Sequence, residues 1–256
     1  MHAFNVSMPT VNNALNLIIT GLPGSGKSKV IKSLLNEPNP AACFESTDFS
    51  DLQSVTLPYQ ILCVIDVRSP LVKGRDDWLE TRLQQLLSSA NGIVFSFLES
   101  AALDDQAWWN RWVAKNSGHL PIVRWLNQSF PPGWTGFDTK RQVLKIADED
   151  FSKSQITSLA PLQNFEFRVG QICWEHLLFG LDSSKQNLGM KIARVKGLVQ
   201  TVEYENKVVI EGSALRWELF AADQEDLLAS ELGMIQIQGE DLDQAWLDEL
   251  VKASLM

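Results

Sequence analysis

Within the run Gly21-Leu22-Pro23-Gly24-Ser25-Gly26-Lys27-Ser28, three glycines, a lysine and a hydroxyl stand at the spacing of a triphosphate cradle. A triphosphate must be held by many donors at once, and side chains in the loop would obstruct it. Glycine at positions 21, 24 and 26 removes the obstruction and lets successive backbone N–H groups point into one concavity. The positive end of a following helix adds to the attraction. Lys27 supplies a mobile point charge for the β and γ phosphates, and Ser28 a hydroxyl for Mg²⁺. The nucleotide-binding set read from the chain is therefore Gly21, Pro23, Gly24, Ser25, Gly26, Lys27, Ser28 and Lys29, with Ser28 on the metal side.

Hydrolysis asks for more: a second carboxylate near the metal and a group that orients water. Two carboxylates are candidates. Asp66 closes the apolar run Ile61-Leu62-Cys63-Val64-Ile65, like a generic Walker B strand end, and Glu45 sits in Phe44-Glu45-Ser46-Thr47-Asp48. The catalytic candidates are thus Lys27, Glu45 and Asp66. For either carboxylate the plainer reading is an ordinary polar residue at a strand end.

Composition narrows the remaining possibilities. With 256 residues, 45% of them hydrophobic, the chain can bury a substantial core as one large or two modest domains. A formal charge of -9 lacks the cationic surplus of a nucleic-acid binder, so no nucleic acid is expected. The basic residues Lys185, Lys191, Arg194 and Lys196 read as a solvated face. Cys43, Cys63 and Cys173 stand far apart, which suggests neither a disulfide framework nor a zinc ribbon and fits a reducing, cytoplasmic setting. No apolar run approaches the roughly 18 residues of a membrane span, so no membrane partner is expected. His2, His119 and His176 show no ligand spacing, and Trp108, Trp109 and Trp112 fall at helical spacing, as packing anchors do.

The elements that must position the loop follow from periodicity. Leu15 to Thr20 reads as a buried strand and Lys27 to Asn36 as a helix, with the glycine loop between them. Strands at Ile61 to Val67, Ile93 to Phe97 and Pro121 to Leu126 alternate with helices at Trp78 to Ser89 and Asp104 to Asn116. This alternation predicts an α/β fold, a parallel sheet with flanking helices. Pro131-Pro132-Gly133-Trp134-Thr135-Gly136 breaks both periods and opens a weakly structured stretch to about Asn164, which holds the domain boundary. Beyond it the pattern predicts strands at Phe165 to Val169, Lys191 to Glu203, Lys207 to Glu211, Leu215 to Ala221 and Met234 to Gln238, with helices at Gln171 to Leu181 and Leu242 to Ser254. Strands adjacent to strands, with Glu205-Asn206 as a hairpin turn, make this half a small α+β unit. The division is residues 1–158 and 159–256.

Several stretches resemble the CobW-type family of P-loop GTPases, linked to metal insertion and cobalamin synthesis. Ile192-Ala193-Arg194-Val195-Lys196-Gly197 resembles the family's Leu-Arg-Ala-Lys-Gly strand, and Met234 to Asp243 its closing strand and helix entry. Cys63-Val64-Ile65-Asp66-Val67 resembles its Val-Val-Asp-Ala strand, and Ser89-Ala90-Asn91-Gly92-Ile93-Val94 the approach to its base-recognition loop. The resemblance implies GTP (ATP being possible) with Mg²⁺, a CobW-C-like second domain, and a protein partner acting through that domain. It also implies roles residue by residue. Glu45-Ser46-Thr47-Asp48 stands for the family's Glu-Thr-Ser-Gly switch, and Glu99 of Ser96-Phe97-Leu98-Glu99 for the guanine-reading aspartate of Asn-Lys-x-Asp, with Phe97 covering the base. The family's Cys-x-Cys-Cys metal motif is missing, only Cys43 remaining, and a lone cysteine builds no zinc or cobalt site. Two functions stay open: slow Mg-dependent GTP hydrolysis reported by the second domain to a partner, or a non-hydrolysing nucleotide-binding or interaction module.

Overall fold

The computed structural model describes residues 16–36, 42–46, 59–118, 120–131, 134, 136–137, 160–224 and 232–256. The boundary expected at 158/159, His2, His119 and the switch residues Thr47 and Asp48 lie outside them. Five strands, β1 (Asn16–Gly21), β2 (Ala42–Glu45), β3 (Tyr59–Asp66), β4 (Gly92–Ser96) and β5 (Ile122–Arg124), form a parallel sheet in the order β2-β1-β3-β4-β5. Such a sheet is covered on both faces, and its strands are correspondingly apolar throughout. Alternation along them sends Leu17, Ile19, Leu62, Val64 and Val94 to one core, where Val30 and Leu34 of α1 (Lys27–Leu35) pack. Ile18, Cys63, Ile65, Ile93 and Phe95 face the other, beneath α2 (Asp77–Ser89) and α3 (Leu103–Asn116). Trp109 and Trp112 are buried in this second core, with Trp108 packed at its edge, as helical spacing anticipates.

The chain runs from β1 outward to β2 and then returns to the other side of β1 to form β3, so the sheet changes direction between β1 and β3. At such a switch point the connections leave the strand ends on opposite faces, and a crevice opens between them. The glycine loop begins at this crevice.

The second half is built on an antiparallel sheet, in the order β10-β9-β8-β11-β6. Its strands are β6 (Gln163–Arg168), β8 (Lys191–Thr201), β9 (Val208–Ser213), β10 (Trp217–Ala221) and β11 (Met234–Glu240). The short β7 (Gln171–Ile172) pairs with the end of β8. One face carries Val195, Val199, Val208, Ile210, Ile235 and Ile237, packed against α4 (Trp174–Asn187) and α5 (Gln244–Ala253). The alternate positions, among them Arg194, Lys196, Glu211 and Glu218, form a polar face. The expected α/β fold followed by a smaller α+β unit is therefore present.

Two local expectations need correction. The helix expected from Gln171 begins at Trp174, because Gln171 and Ile172 instead pair with Gln200 and Thr201. Strand β2 was not anticipated: Ala42–Glu45 is too short to show a period, and it exists through its register with Asn16 to Ile19. Among the described residues no helix is long and apolar enough to cross a membrane.

Buried ion pairs join the two halves. Arg68, just past β3, grips Asp66 and reaches Glu218 of β10 through Nη1 at 2.8 and 2.9 Å. Arg82 of α2 meets Glu240 of β11 at 2.6 Å and also donates to the Ala160 carbonyl. Leu215, in the turn between β9 and β10, packs with Ala214 onto the core beneath α2 and α3.

Candidate nucleotide site

The loop from Gly21 to Ser28 joins the buried end of β1 to the start of α1, and three contacts shape it. A Cβ at Gly21 would lie 2.3 Å from the Val64 carbonyl oxygen, so only glycine lets the loop leave β1 so close to β3. Gly24, at φ +82°, would press a Cβ to within 2.8 Å of Ser213 in β9, so the second half rests directly on the loop. Ser96 Oγ, fully buried at the end of β4, donates to the Ser25 carbonyl at 2.8 Å and ties the loop to the sheet.

Lys27 lies within this loop, 3% exposed, with Nζ donating to the carbonyls of Gly21 (3.2 Å) and Leu22 (3.0 Å). Glu45, at the end of β2, brings one carboxylate oxygen 3.7 Å from Lys27 Nζ and accepts the Ser28 hydroxyl proton on the other at 3.1 Å. Lys27, Ser28 and Glu45 thus converge, although Glu45 is seventeen residues away in sequence. A serine hydroxyl beside a carboxylate is a hard-oxygen pair of the kind Mg²⁺ takes when phosphate oxygens complete its shell. The chain's own residues fit that ion.

Asp66 is placed differently. Both of its carboxylate oxygens are held by Arg68, through Nε at 3.0 and 3.1 Å and Nη2 at 2.7 Å, and Oδ1 also accepts the Arg68 backbone N–H. It lines an apolar seam with Leu22, Leu79, Trp109 and Leu215 rather than the cleft that holds Lys27 and Ser28. Of the two carboxylates left open by sequence, only Glu45 meets the loop's lysine and serine.

Burial pushes the Lys27 ammonium down to a pKa of about 8 from the ordinary 10.5, against the attraction of Glu45 and with further lowering from Arg194. A bound polyanion raises it again. Above pH 8 the free protein has lost the proton that the complex keeps, so triphosphate affinity is expected to fall by up to about tenfold per pH unit there and to level off below it. Calorimetric titrations between pH 6.5 and 9.5 check this; an affinity flat across pH 8 to 9.5 would contradict it.

The cleft over the loop encloses about 780 Å³ when the open solvent at its mouth is counted. Its floor is the loop with Lys27, Ser28 and Lys29. Its roof is the polar face of the second sheet, contributing Arg194, Lys196, Glu211, Arg216 and Glu218. Among the described residues six cationic side chains line it against three carboxylates, in a chain of net charge -9. The reading of Arg194 as part of a merely solvated face is thereby corrected, while Lys196 is exposed as that reading expects. Their alternation along β8 was visible in sequence, but not what the polar face covers.

Phe97 adopts a left-handed backbone (φ 59°), unusual for a bulky residue. It sets its ring where a Cβ on Gly26 would come within 2.8 Å, with the Arg68 guanidinium 3.8 Å from its centroid. Glu99 lies beyond, in a second cleft with Lys29, Phe97, Trp125, Asn127 and Gln128, and accepts the backbone N–H of Asn127. Sequence reasoning missed Arg68 and Arg216, which belong to no motif. Cys63 is buried in β3, its thiol pushed up to about 12, while Cys43 and Cys173 are free and half-buried. Among the described residues no three His, Cys, Asp or Glu side chains gather into a metal site.

A family model described as the viral superfamily 1 RNA helicase core domain matches residues 17–87, from β1 into the last turn of α2. No curated protein matches the chain. Among solved structures, the Zn(II)-bound YjiA GTPase from E. coli is similar at 10% identity and a TM-score of 0.31. A Zn(II)-bound triple mutant of YjiA is similar at 12% and 0.33. Both alignments cover 95% of this chain and all of the other. The loop, the parallel sheet and the switch point between β1 and β3 together make the first half a P-loop nucleoside triphosphatase fold.

Proposed function

We propose that this protein binds GTP with Mg²⁺ at the P-loop and hydrolyses it slowly, the second domain passing the nucleotide state to a protein partner. The observation that carries this reading is the convergence of Lys27, Ser28 and Glu45 at the mouth of the glycine loop. Bound Mg²⁺ would supply charge neutralisation to the β and γ phosphates, with Ser28 and Glu45 as its protein-side oxygens. Lys27 leaves the Gly21 and Leu22 carbonyls to meet the phosphates, and the loop N–H groups hold the oxygens between them. Water attacks the γ phosphorus, the bond to the bridging oxygen breaks, and the diphosphate and inorganic phosphate leave.

Guanine preference is assigned to the cleft of Phe97, Glu99 and Trp125, where the Glu99 carboxylate would accept the base's N1 and N2 protons. Asn127 competes for the same carboxylate in the free protein. The nucleotide-binding domain is taken as residues 1–158 and the CobW-C-like domain as 159–256, in the cytoplasm. The test is single-turnover hydrolysis of GTP and ATP with Mg²⁺. GTP is expected to turn over, Glu45→Gln to lower the rate by about a hundredfold while binding persists, and Glu99→Ala to erase the preference for GTP. Binding without turnover would instead establish the non-hydrolysing module, a reading favoured by the shortness of the segment between P-loop and β3.

A further inference from the structure

The nucleotide cleft has a roof, and the roof is cationic. Alternation along the second sheet puts Arg194 on β8 and Arg216, beside β10, on the face that covers the P-loop. Each is steered by a carboxylate on its own sheet: Arg194 Nη2 lies 3.3 Å from Glu211, and Arg216 Nη2 3.2 Å from Glu218. Yet the Nε–H of both arginines is buried and, among the described residues, has no hydrogen-bond partner. A buried donor left unpaired is costly, and two at one cleft mark a place where an acceptor belongs. The Ser213 hydroxyl accepts the backbone N–H groups of Leu215 and Arg216, fixing the turn that carries Arg216, and Ser213 itself sits against Gly24.

We infer that the nucleotide site is shared between the two halves, with Arg194 and Arg216 of the second sheet binding the terminal phosphate of the triphosphate held by the P-loop. This rests on the proposed nucleotide binding and adds the group that distinguishes triphosphate from diphosphate. The loop N–H groups and Lys27 serve the inner phosphates. The outermost phosphate projects from them toward the roof, where guanidinium forks match its oxygens. Loss of that phosphate returns the two Nε–H groups to their unpaired state and weakens the seating of the second sheet on the loop. The second domain thereby senses the γ phosphate directly, without a separate switch segment.

The experiment compares the non-hydrolysable triphosphate analogues of GTP and ATP with the matching diphosphates, by calorimetry with Mg²⁺. The intact protein is expected to favour the triphosphate by about tenfold or more, as hydrogen bonds to charged groups allow. Arg194→Gln combined with Arg216→Gln is expected to bring that ratio near one while diphosphate affinity stays within about twofold. An unchanged ratio in the double variant would overturn the inference and leave P-loop binding standing. If the intact protein binds no nucleotide, both fall. Should the double variant lose diphosphate binding too, Arg194→Lys with Arg216→Lys decides: a triphosphate preference lost with diphosphate binding intact supports the shared site, since lysine lacks the fork, and an unchanged preference overturns it. Diphosphate binding lost again would show the arginines to be structural.

Discussion

Lys27→Met is expected to abolish the stabilisation that triphosphate gives while leaving the free protein at least as stable as before. At a ligand concentration a hundredfold above Kd the intact protein gains about 2.7 kcal/mol, a rise of roughly 5 to 10 °C in Tm for a chain of this size. The variant keeps most of the side chain's reach, one atom short, and removes the ammonium, which is the part the phosphates use. In the free protein that charge is a burden. The unfolded lysine holds its proton to about 10.5 and the buried one only to about 8, so below pH 8 the charged form costs the native state about 3 kcal/mol. That cost is relieved as pH climbs from 8 to 10.5. Losing two hydrogen bonds to the Gly21 and Leu22 carbonyls, at about 1 kcal/mol each, offsets part of the gain. Differential scanning fluorimetry of both proteins with and without GTP and Mg²⁺ reads both effects. A ligand shift surviving in Lys27→Met would remove the P-loop as the binding site.

Arg68→Met is expected to be the most damaging single change between the halves. The guanidinium makes five hydrogen bonds to Asp66 and Glu218 and is 9% exposed. Its loss strands the Asp66 carboxylate with only a backbone N–H, while Glu218 retains Arg216. Breaking a buried pair from one side costs about 3 to 5 kcal/mol because a charge is left uncompensated, which lowers Tm by roughly 10 °C here. If stranded charge is the cause, adding Asp66→Asn and Glu218→Gln recovers most of the loss, since neutral amides tolerate burial better. Thermal melts of the single and triple variants measure it. A shift under about 2 °C in Arg68→Met would mean the bridge contributes little to joining the domains.

The contrast between Asp66 and Glu45 shows where reading along the chain reaches its limit. Both end strands, and in sequence the apolar run before Asp66 ranks it first, an order that proximity to the loop reverses. The ranking comes from Arg68, two residues after Asp66, which turns that carboxylate toward the second domain, and from β2, whose pairing with β1 carries Glu45 to Ser28. Phe97 shows the same limit. The family resemblance implied a cover for the base, and its position against Gly26 became visible only with the chain turning through a left-handed residue.

The phosphate-binding loop was legible because its chemistry is local: the glycines, Lys27 and Ser28 are consecutive, and the strand and helix that aim them adjoin. The parallel sheet was legible for a related reason, since burial on both faces leaves apolar runs that no loop would carry. The meeting of Glu45 with Lys27 and Ser28, the bridge through Arg68 and the cationic roof of Arg194 and Arg216 were decided by tertiary structure alone. The first joins residues seventeen positions apart through the pairing of β2 with β1, and the bridge joins residues 150 positions apart across two sheets. Alternation along β8 tells which side chains share a face, but the partner of that face is set by how two independent cores dock, and no local pattern records that.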